Sequence, residues 1–186
     1  MSYIFDPEEL HQAARAGVDR GTTEEKLAAV VADLDRRYPG RICTTQDWMF
    51  NTANGAMGQL TLLYGSLTEY IILFGTPIGT EGHSGRYFAD VYDFMIDGEM
   101  WTYYAGDVEK TVFKPGDAAL LERRQAKGYN VPRRAWMLEY ARGCIPAMLP
   151  SGLADNFFSN LDLRSVAHLF KNYGALTVKE LLRGKI

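Results

Sequence analysis

The sequence predicts an α+β fold in which a central antiparallel β-region is flanked by helices at both ends of the chain. Apolar residues recur with helical spacing in roughly the first forty and the last thirty-five residues. Short runs rich in aromatic and β-branched residues fill the middle, separated by turn signals. At 186 residues the chain suits one domain. We divide it into N-terminal helices at 1–46, a β-region at 47–150 and C-terminal helices at 151–186.

Two helices are predicted before the β-region. Asp6 is a suitable N-cap, and Pro7 occupies the first helical position. A second helix is expected to begin at Thr22 or Thr23 and to end before Pro39-Gly40. Its apolar residues fall on one face, which predicts a helix packed on a core. They are Leu27, Val30, Val31 and Leu34.

The middle of the chain contains five clear strand candidates without helical segments between them, which predicts an antiparallel sandwich or small barrel. The candidates are TEYIILFG, RYFADVYDFMI, EMWTYY, KTVF and AWMLEYARG. Asp97-Gly98 is a hairpin signal, and Pro115-Gly116 fits the centre of a type II turn. For the segment NTANGAMGQLTLLYGS, at positions 51–66, we expect a loop that leads into a short helix.

Helical spacing returns near the C-terminus. Asp162 is expected to cap a helix that ends before Gly174. Thr177 and Glu180 then form a second capping box. This region carries more apolar surface than a short helical pair needs. One explanation is that this surface packs against the barrel. The equally good alternative is a helix that lies on a bilayer or closes a hydrophobic pocket.

Composition excludes several classes of protein. The net charge of −3 gives no electrostatic reason to expect nucleic acid as a partner. Cys43 and Cys144 form neither a disulfide framework nor a metal-ligand set, so free thiols are expected. The sequence shows neither a transmembrane helix nor a secretory signal. We therefore expect a cytoplasmic protein.

Acidic residues alternate with apolar residues in three predicted strands, and this pattern directs carboxyls toward the interior. The acids and their same-face neighbours are Glu139 with Ala135, Met137 and Ala141; Glu69 with Ile71 and Leu73; Asp93 with Tyr87, Ala89, Val91 and Met95; and Asp90 with Phe88, Tyr92, Phe94 and Ile96. For any single acid, an exposed strand end or an arginine partner is the alternative explanation. Two carboxyls in one dry cavity cannot both ionise cheaply, so one should keep its proton. Such a pair offers an acid and a base for proton transfer, and it would also stabilise a bound cation.

The glycine-rich segment GTPIGTEGHSGR resembles a phosphate-binding loop only superficially. Its glycines have the spacing G-x-x-G-x-x-G, and a strand-like run follows instead of a helix. We interpret it as a connection between strands that orients Ser84, Arg86 and Tyr87. His11, His83 and His168 lie in different segments, so no metal site is predicted.

Several motifs together resemble a known family. They are NTANGAMGQL, LTEYIILFGTPIGTEGHSGRYFAD, PGD and LEYARGCIPAMLPSGLADNFFSNLDL, and they occur in order along nearly the whole chain. They closely resemble the fungal sterol C-8 isomerase and its relative, the sigma-type non-opioid receptor. The resemblance implies a cupin-like β-barrel that encloses a hydrophobic pocket. It also implies a homotrimer, with C-terminal helices that cover the pocket and rest on a membrane surface.

The resemblance also assigns candidate site residues. In the receptor, a glutamate meets the ammonium group of the ligand, and a barrel aspartate hydrogen-bonds to that glutamate. The matching positions are Glu139 and Asp93, which makes this pair the expected catalytic residues. The positions implied for substrate contact are Glu69, Tyr70, Phe74, Ser84, Tyr87 and Tyr140, with His83 and Arg86 in support.

The implied reaction moves a sterol ring double bond from position 8 to position 7 and needs neither a redox cofactor nor a metal. The expected substrate is a sterol or another polycyclic or isoprenoid lipid, and cationic amines are expected ligands. A non-catalytic binder of lipids or hydrophobic amines is the alternative function. A metal-dependent cupin enzyme is a third possibility, disfavoured by the few histidines. The family's membrane anchor is not recognised in the sequence, so we expect peripheral contact with a membrane.

Overall fold

A computed structural model describes residues 3–185, which form four α-helices and ten β-strands. The helices are α1 Pro7–Val18, α2 Thr23–Arg37, α3 Leu149–Phe158 and α4 Leu163–Leu182, and a 3-10 turn spans Ile145–Ala147. The strands are β1 Met49–Ala53, β2 Ala56–Gly65, β3 Glu69–Thr76, β4 Thr80–His83, β5 Ala89–Gly98, β6 Met100–Tyr103, β7 Thr111–Phe113, β8 Ala118–Leu121, β9 Gly128–Val131 and β10 Ala135–Gly143. The predicted α+β class is confirmed.

The strands of residues 3–185 form two antiparallel sheets. One has six strands in the order β1-β2-β3-β10-β5-β8, and the other has four in the order β4-β9-β6-β7. The long strands β3, β10 and β5 occupy the centre of the larger sheet, where both edges of each strand are hydrogen-bonded. This central position gives β5 and β10 a fixed register, which matters for the site.

The N-terminal helices form as predicted. The Asp6 side chain accepts a hydrogen bond from the Glu8 amide at the start of α1. Thr22 and Glu25 form a reciprocal capping box at the start of α2. The expected apolar face of α2 is buried, together with residues of β3, β5 and β10, in a core on the outer side of the larger sheet. A second apolar core lies on its inner side.

The prediction for positions 51–66 is wrong, because this segment forms the β1–β2 hairpin. Asn54 and Gly55 have φ values of 52° and 89°, as the two-residue hairpin turn typical of Asn-Gly requires. The pairing runs from Met49↔Leu60 to Ala53↔Ala56. The many apolar residues of β2 are buried on both faces of the sheet, which hides the alternation expected of a half-exposed strand.

The two other predicted turns have different outcomes. Pro115-Gly116 forms a tight turn, in which the Asp117 amide donates to the Lys114 carbonyl at 2.9 Å and Gly116 has φ of 91°. Asp97-Gly98 does not make a hairpin. β5 pairs with β10 and β8, whereas β6 pairs with β7 and β9, so this turn carries the chain from one sheet to the other.

The C-terminal region also differs from the prediction, because α4 is one helix that continues through Gly174. A glycine inside a helix costs about 1 kcal/mol relative to alanine. Burial of Val166, Tyr173 and Thr177 on the same helix offsets that cost. Glu180 serves no cap, since its carboxylate accepts from the Tyr64 hydroxyl at 3.1 Å.

Helix α4 is also the longest helix of the described chain. Over residues 3–185, no helix combines the length and the hydropathy that crossing a bilayer requires.

Candidate active site

A cavity of about 190 Å³ lies between the two sheets. Its wall is mostly apolar. From the larger sheet come Leu60, Leu62, Tyr70, Ile72, Phe74, Val91, Asp93, Leu121, Met137 and Glu139. From the smaller sheet come His83, Met100 and Tyr129, and from the C-terminal segment Met148, Leu149, Leu153, Leu169 and Tyr173. Helices α3 and α4 therefore cover one side of the cavity.

The structure brings Asp93 and Glu139 together. They are direct cross-strand partners in the antiparallel pairing of β5 with β10, so their side chains point to the same face of the sheet. That face carries the cavity. Asp93 is only 6% exposed, and the residues two positions away on the same face, such as Val91 and Met137, are buried. Strand periodicity thus predicted both the face and its apolar surroundings correctly.

Glu139 is held by Tyr70, which lies on β3, the strand on the other side of β10. The Tyr70 hydroxyl donates to Glu139 Oε1 at 2.5 Å. Burial, and secondarily the nearby charge of Asp93, raise the pKa of Glu139 from 4.5 to about 7, against the opposing effects of the Tyr70 hydrogen bond and of Lys127. Burial also raises the pKa of Tyr70 well above 10, so its hydroxyl remains a donor. At neutral pH Glu139 is therefore divided between its acid and its ionised form.

Sequence reasoning missed Lys127. Its Nζ donates to Asp93 Oδ2 at 3.0 Å, and the two side chains are only 5% and 9% exposed. Lys127 directly precedes β9, a four-residue strand that was not predicted. The alternation of Lys127, Tyr129 and Val131 is the signal that could have found it, since all three side chains are turned inward.

Most of the other predicted contact residues line the cavity. They are Tyr70, Phe74, Ser84 and Tyr87, together with the predicted support residue His83. The Tyr87 hydroxyl accepts a hydrogen bond from the Asn54 side chain at 3.0 Å, which ties the site to the β1–β2 turn.

Three predicted site residues lie outside the cavity, which corrects the sequence-based assignment. Glu69 and Tyr140 are one position removed from Tyr70 and Glu139, so the pleat turns them to the opposite face of the sheet. There the Glu69 carboxylate accepts hydrogen bonds from the Phe5 amide at 3.2 Å and from the Tyr140 hydroxyl at 2.8 Å. Arg86 donates instead to the backbone carbonyl of Arg124. Glu69 and Tyr140 therefore anchor the N-terminal segment and cannot touch a ligand in the cavity.

Titratable side chains elsewhere do not assemble into a metal centre. Between residues 3 and 185, no three His, Cys, Asp or Glu side chains come close enough to form a ligand set. The polar side chains that line the cavity in this part of the chain are two carboxyls, one ammonium group, one imidazole, two amides and several hydroxyls.

Comparison with known proteins assigns the chain to a family. A family model described as "ERG2 and Sigma1 receptor like protein" matches residues 1–185. The C-8 sterol isomerase erg2 of Aspergillus fumigatus is 39% identical over 186 residues, covering 98% of this chain and 78% of that protein. The sigma non-opioid intracellular receptor 1 of Xenopus tropicalis is 37% identical over 183 residues, covering 96% of this chain and 81% of that protein.

Two solved structures that the chain resembles each cover about half of it. The polyketide cyclase RemF from Streptomyces resistomycificus matches with a TM-score of 0.47 and 14% sequence identity. The matched region covers 53% of this chain and 75% of the RemF chain. A cupin superfamily protein from Desulfitobacterium hafniense has a TM-score of 0.41 at 21% identity, with coverages of 49% and 80%. The assignment rests on the match along nearly the whole sequence: the chain belongs to the family of ERG2 and sigma-1-receptor-like proteins.

Proposed function

We propose that the protein is an isomerase that shifts a ring double bond of a sterol-type lipid from position 8 to position 7 by protonation and deprotonation. The observation that carries this proposal is the pairing of Asp93 with Glu139 on the apolar wall of the cavity. Relatives named C-8 sterol isomerase support the reaction class. A pKa of about 7 for Glu139 suits an acid that must both hold and release a proton near neutrality.

The reaction has two proton transfers and no change of oxidation state. One carboxylic acid protonates one carbon of the double bond, so that its O–H bond breaks, a C–H bond forms and a tertiary carbocation remains at the other carbon. A carboxylate then removes a proton from the carbon beside the cation, and that C–H electron pair becomes the new double bond. No electron acceptor is required, because only protons move.

The cavity wall is suited to the cationic intermediate. A carboxylate in an environment of low dielectric constant stabilises a nearby positive charge more strongly than it would in water. The aromatic faces of Tyr70, Tyr87 and Tyr129, all on the cavity wall, add cation–π attraction. Apolar residues around them exclude water, which would otherwise capture the cation as an alcohol.

The direct test is conversion of an 8-ene sterol, followed by separation and mass spectrometry of the product. Asp93→Asn should abolish conversion, whereas Asp90→Asn is a matched control on the same strand. Asp90 faces the other side of the sheet, where it is paired with Arg123 at 3.0 Å. Binding of the sterol without conversion by the wild type, across several 8-ene sterols, would overturn the isomerase. It would favour the alternative function, a binder of lipids or hydrophobic amines.

We also propose that the protein forms a homotrimer and contacts a membrane surface through α3 and α4. Exposed apolar side chains support the membrane contact, since Phe158 is 87% and Leu182 is 85% exposed. When phosphatidylcholine vesicles are sedimented, the wild-type protein should sediment with them, and much less of a Phe158→Asp/Leu182→Asp double variant should do so.

Light scattering measures the oligomeric state of the protein. A monomeric mass at working concentration would contradict the trimer.

A further inference from the structure

A buried lysine stands beside the carboxyl pair and pairs with only one of its members. Lys127 Nζ lies 3.0 Å from Asp93 Oδ2, whereas Glu139 receives its hydrogen bond from the Tyr70 hydroxyl. The two carboxyls therefore have different partners, although they are equivalent in strand register.

The position of Lys127 is fixed by its backbone. Its amide donates to Ser84 Oγ at 2.9 Å, and its carbonyl accepts from the Ser84 amide at 2.9 Å. These two bonds connect the segment after β4 to the segment before β9. The ammonium group is thus held at the cavity wall by a paired backbone, which lowers the entropy cost of keeping it beside Asp93.

We propose that Lys127 assigns the roles of the two carboxyls: it keeps Asp93 as the carboxylate that removes the proton and leaves Glu139 as the acid that delivers it. This inference rests on the proposed isomerase. Lys127 acts through Asp93, so it is a positioning residue and not a catalytic one.

Charge balance supports this division. A buried ammonium without a counter-charge is very costly, so Lys127 and Asp93 stabilise each other as an ion pair. A second carboxylate in the same cavity would leave an uncompensated negative charge, and Glu139 avoids this by keeping its proton. The titratable side chains that line the cavity together with the pair are His83, Tyr70, Tyr87, Tyr129, Tyr173 and Lys127. Lys127 is the only lysine or arginine among the described residues that line the cavity.

The division also closes the reaction cycle. Glu139 gives its proton to the double bond and becomes a carboxylate, and Asp93 takes a proton from the neighbouring carbon and becomes an acid. The proton then passes from Asp93 to its cross-strand partner Glu139. This last proton transfer restores the ion pair of Asp93 with Lys127. The attraction between these two charges therefore favours the transfer from Asp93 to Glu139.

The variant Lys127→Met removes the charge and keeps an unbranched chain, and Lys127→Arg keeps the charge. We expect Lys127→Met to lower kcat about 100-fold or more, the scale of one general acid–base contribution, with sterol binding retained. Lys127→Arg should recover much of that loss. Because Lys127 lowers the pKa of Glu139, the fall of kcat with rising pH should move to higher pH in Lys127→Met. A wild-type kcat, or a reduced kcat with an unmoved pH profile, would overturn the proposal.

Infrared difference spectroscopy of the wild-type protein tests the same assignment if Lys127→Met does not fold. At pH 6 the carbonyl band of a protonated carboxyl in the cavity should be present in the wild type and absent in Glu139→Gln. A band that persists in Glu139→Gln would place the proton on Asp93 and overturn the inference. This measurement needs no turnover, so its failure is distinguishable from failure of the proposed isomerase, which appears as no conversion by the wild type.

Discussion

Replacing Glu139 with glutamine should change how the stability of the protein depends on pH. The pKa of Glu139 is raised from 4.5 to about 7 by folding. Between these values the folded state holds a proton that the unfolded state has released. The free energy of unfolding of the wild type therefore falls as pH rises through this window, and the full loss is present above about pH 7.

The size of the effect follows from the shift. One pKa unit corresponds to about 1.4 kcal/mol, so a rise from 4.5 to about 7 corresponds to about 3 kcal/mol. Less than a third of it is already lost at pH 5, so most of it, about 2–3 kcal/mol, is lost between pH 5 and pH 8. Glutamine keeps the shape of the side chain, and its amide oxygen accepts the Tyr70 hydrogen bond without a charge to bury.

Urea unfolding followed by circular dichroism at pH 5 and pH 8 measures this effect. The free energy of unfolding of Glu139→Gln, relative to the wild type, should increase by about 2–3 kcal/mol from pH 5 to pH 8. Glu109→Gln is the matched control, because Glu109 is exposed at the surface, and its difference from the wild type should vary little with pH. A Glu139→Gln difference that is the same at both pH values would refute the view that the Glu139 carboxyl retains its proton in the cavity.

Three further predictions test other parts of the account. Tyr70→Phe removes a hydrogen bond that lowers the pKa of Glu139, so the fall of kcat with rising pH should move to higher pH; a shift to lower pH would contradict this. Glu69→Gln weakens the hydrogen bonds that anchor the N-terminal segment, so it should lower the free energy of unfolding by about 1–3 kcal/mol and leave kcat unchanged. A large loss of kcat in the folded variant would show that Glu69 acts in the site. Leu34→Ala leaves a cavity at a fully buried position of α2, so it should lower the free energy of unfolding in urea by about 2–5 kcal/mol. The control Leu182→Ala, at an exposed position, should lower it by about 0.5 kcal/mol or less. Equal losses of stability in the two variants would contradict the assigned core.

Strand alternation accounts for what could be predicted of the site. The period of two is strict within a strand, so it assigned Asp93 and Glu139 each to the apolar face of its strand before any contact was known. The resemblance to a family then selected Asp93 over Asp90. A resemblance shows which residues lie next to a matched motif position, but it does not show the direction of their side chains. For this reason Glu69 and Tyr140, the neighbours of Tyr70 and Glu139, were wrongly assigned to the cavity.

What the sequence did not reveal depends on long-range pairing. β9 has only four residues, and its burial comes from pairing with β4 and β6, which are distant in sequence. Lys127 was missed for this reason. The β1–β2 hairpin was missed although its Asn54-Gly55 signal is local, because β2 is buried on both faces and shows no alternation. Tertiary packing of α4 similarly overrode the stop signal at Gly174.

Single turnover in heavy water tests directly whether Asp93 and Glu139 transfer the protons. Enzyme equilibrated in heavy water carries a deuteron on its carboxylic acid and is mixed, in excess, with an 8-ene sterol. Each 7-ene product molecule should gain one deuterium, and Glu139→Gln and Asp93→Asn should form no such product. A shifted product without deuterium, or the same labelling in either variant, would contradict proton transfer by this carboxyl pair.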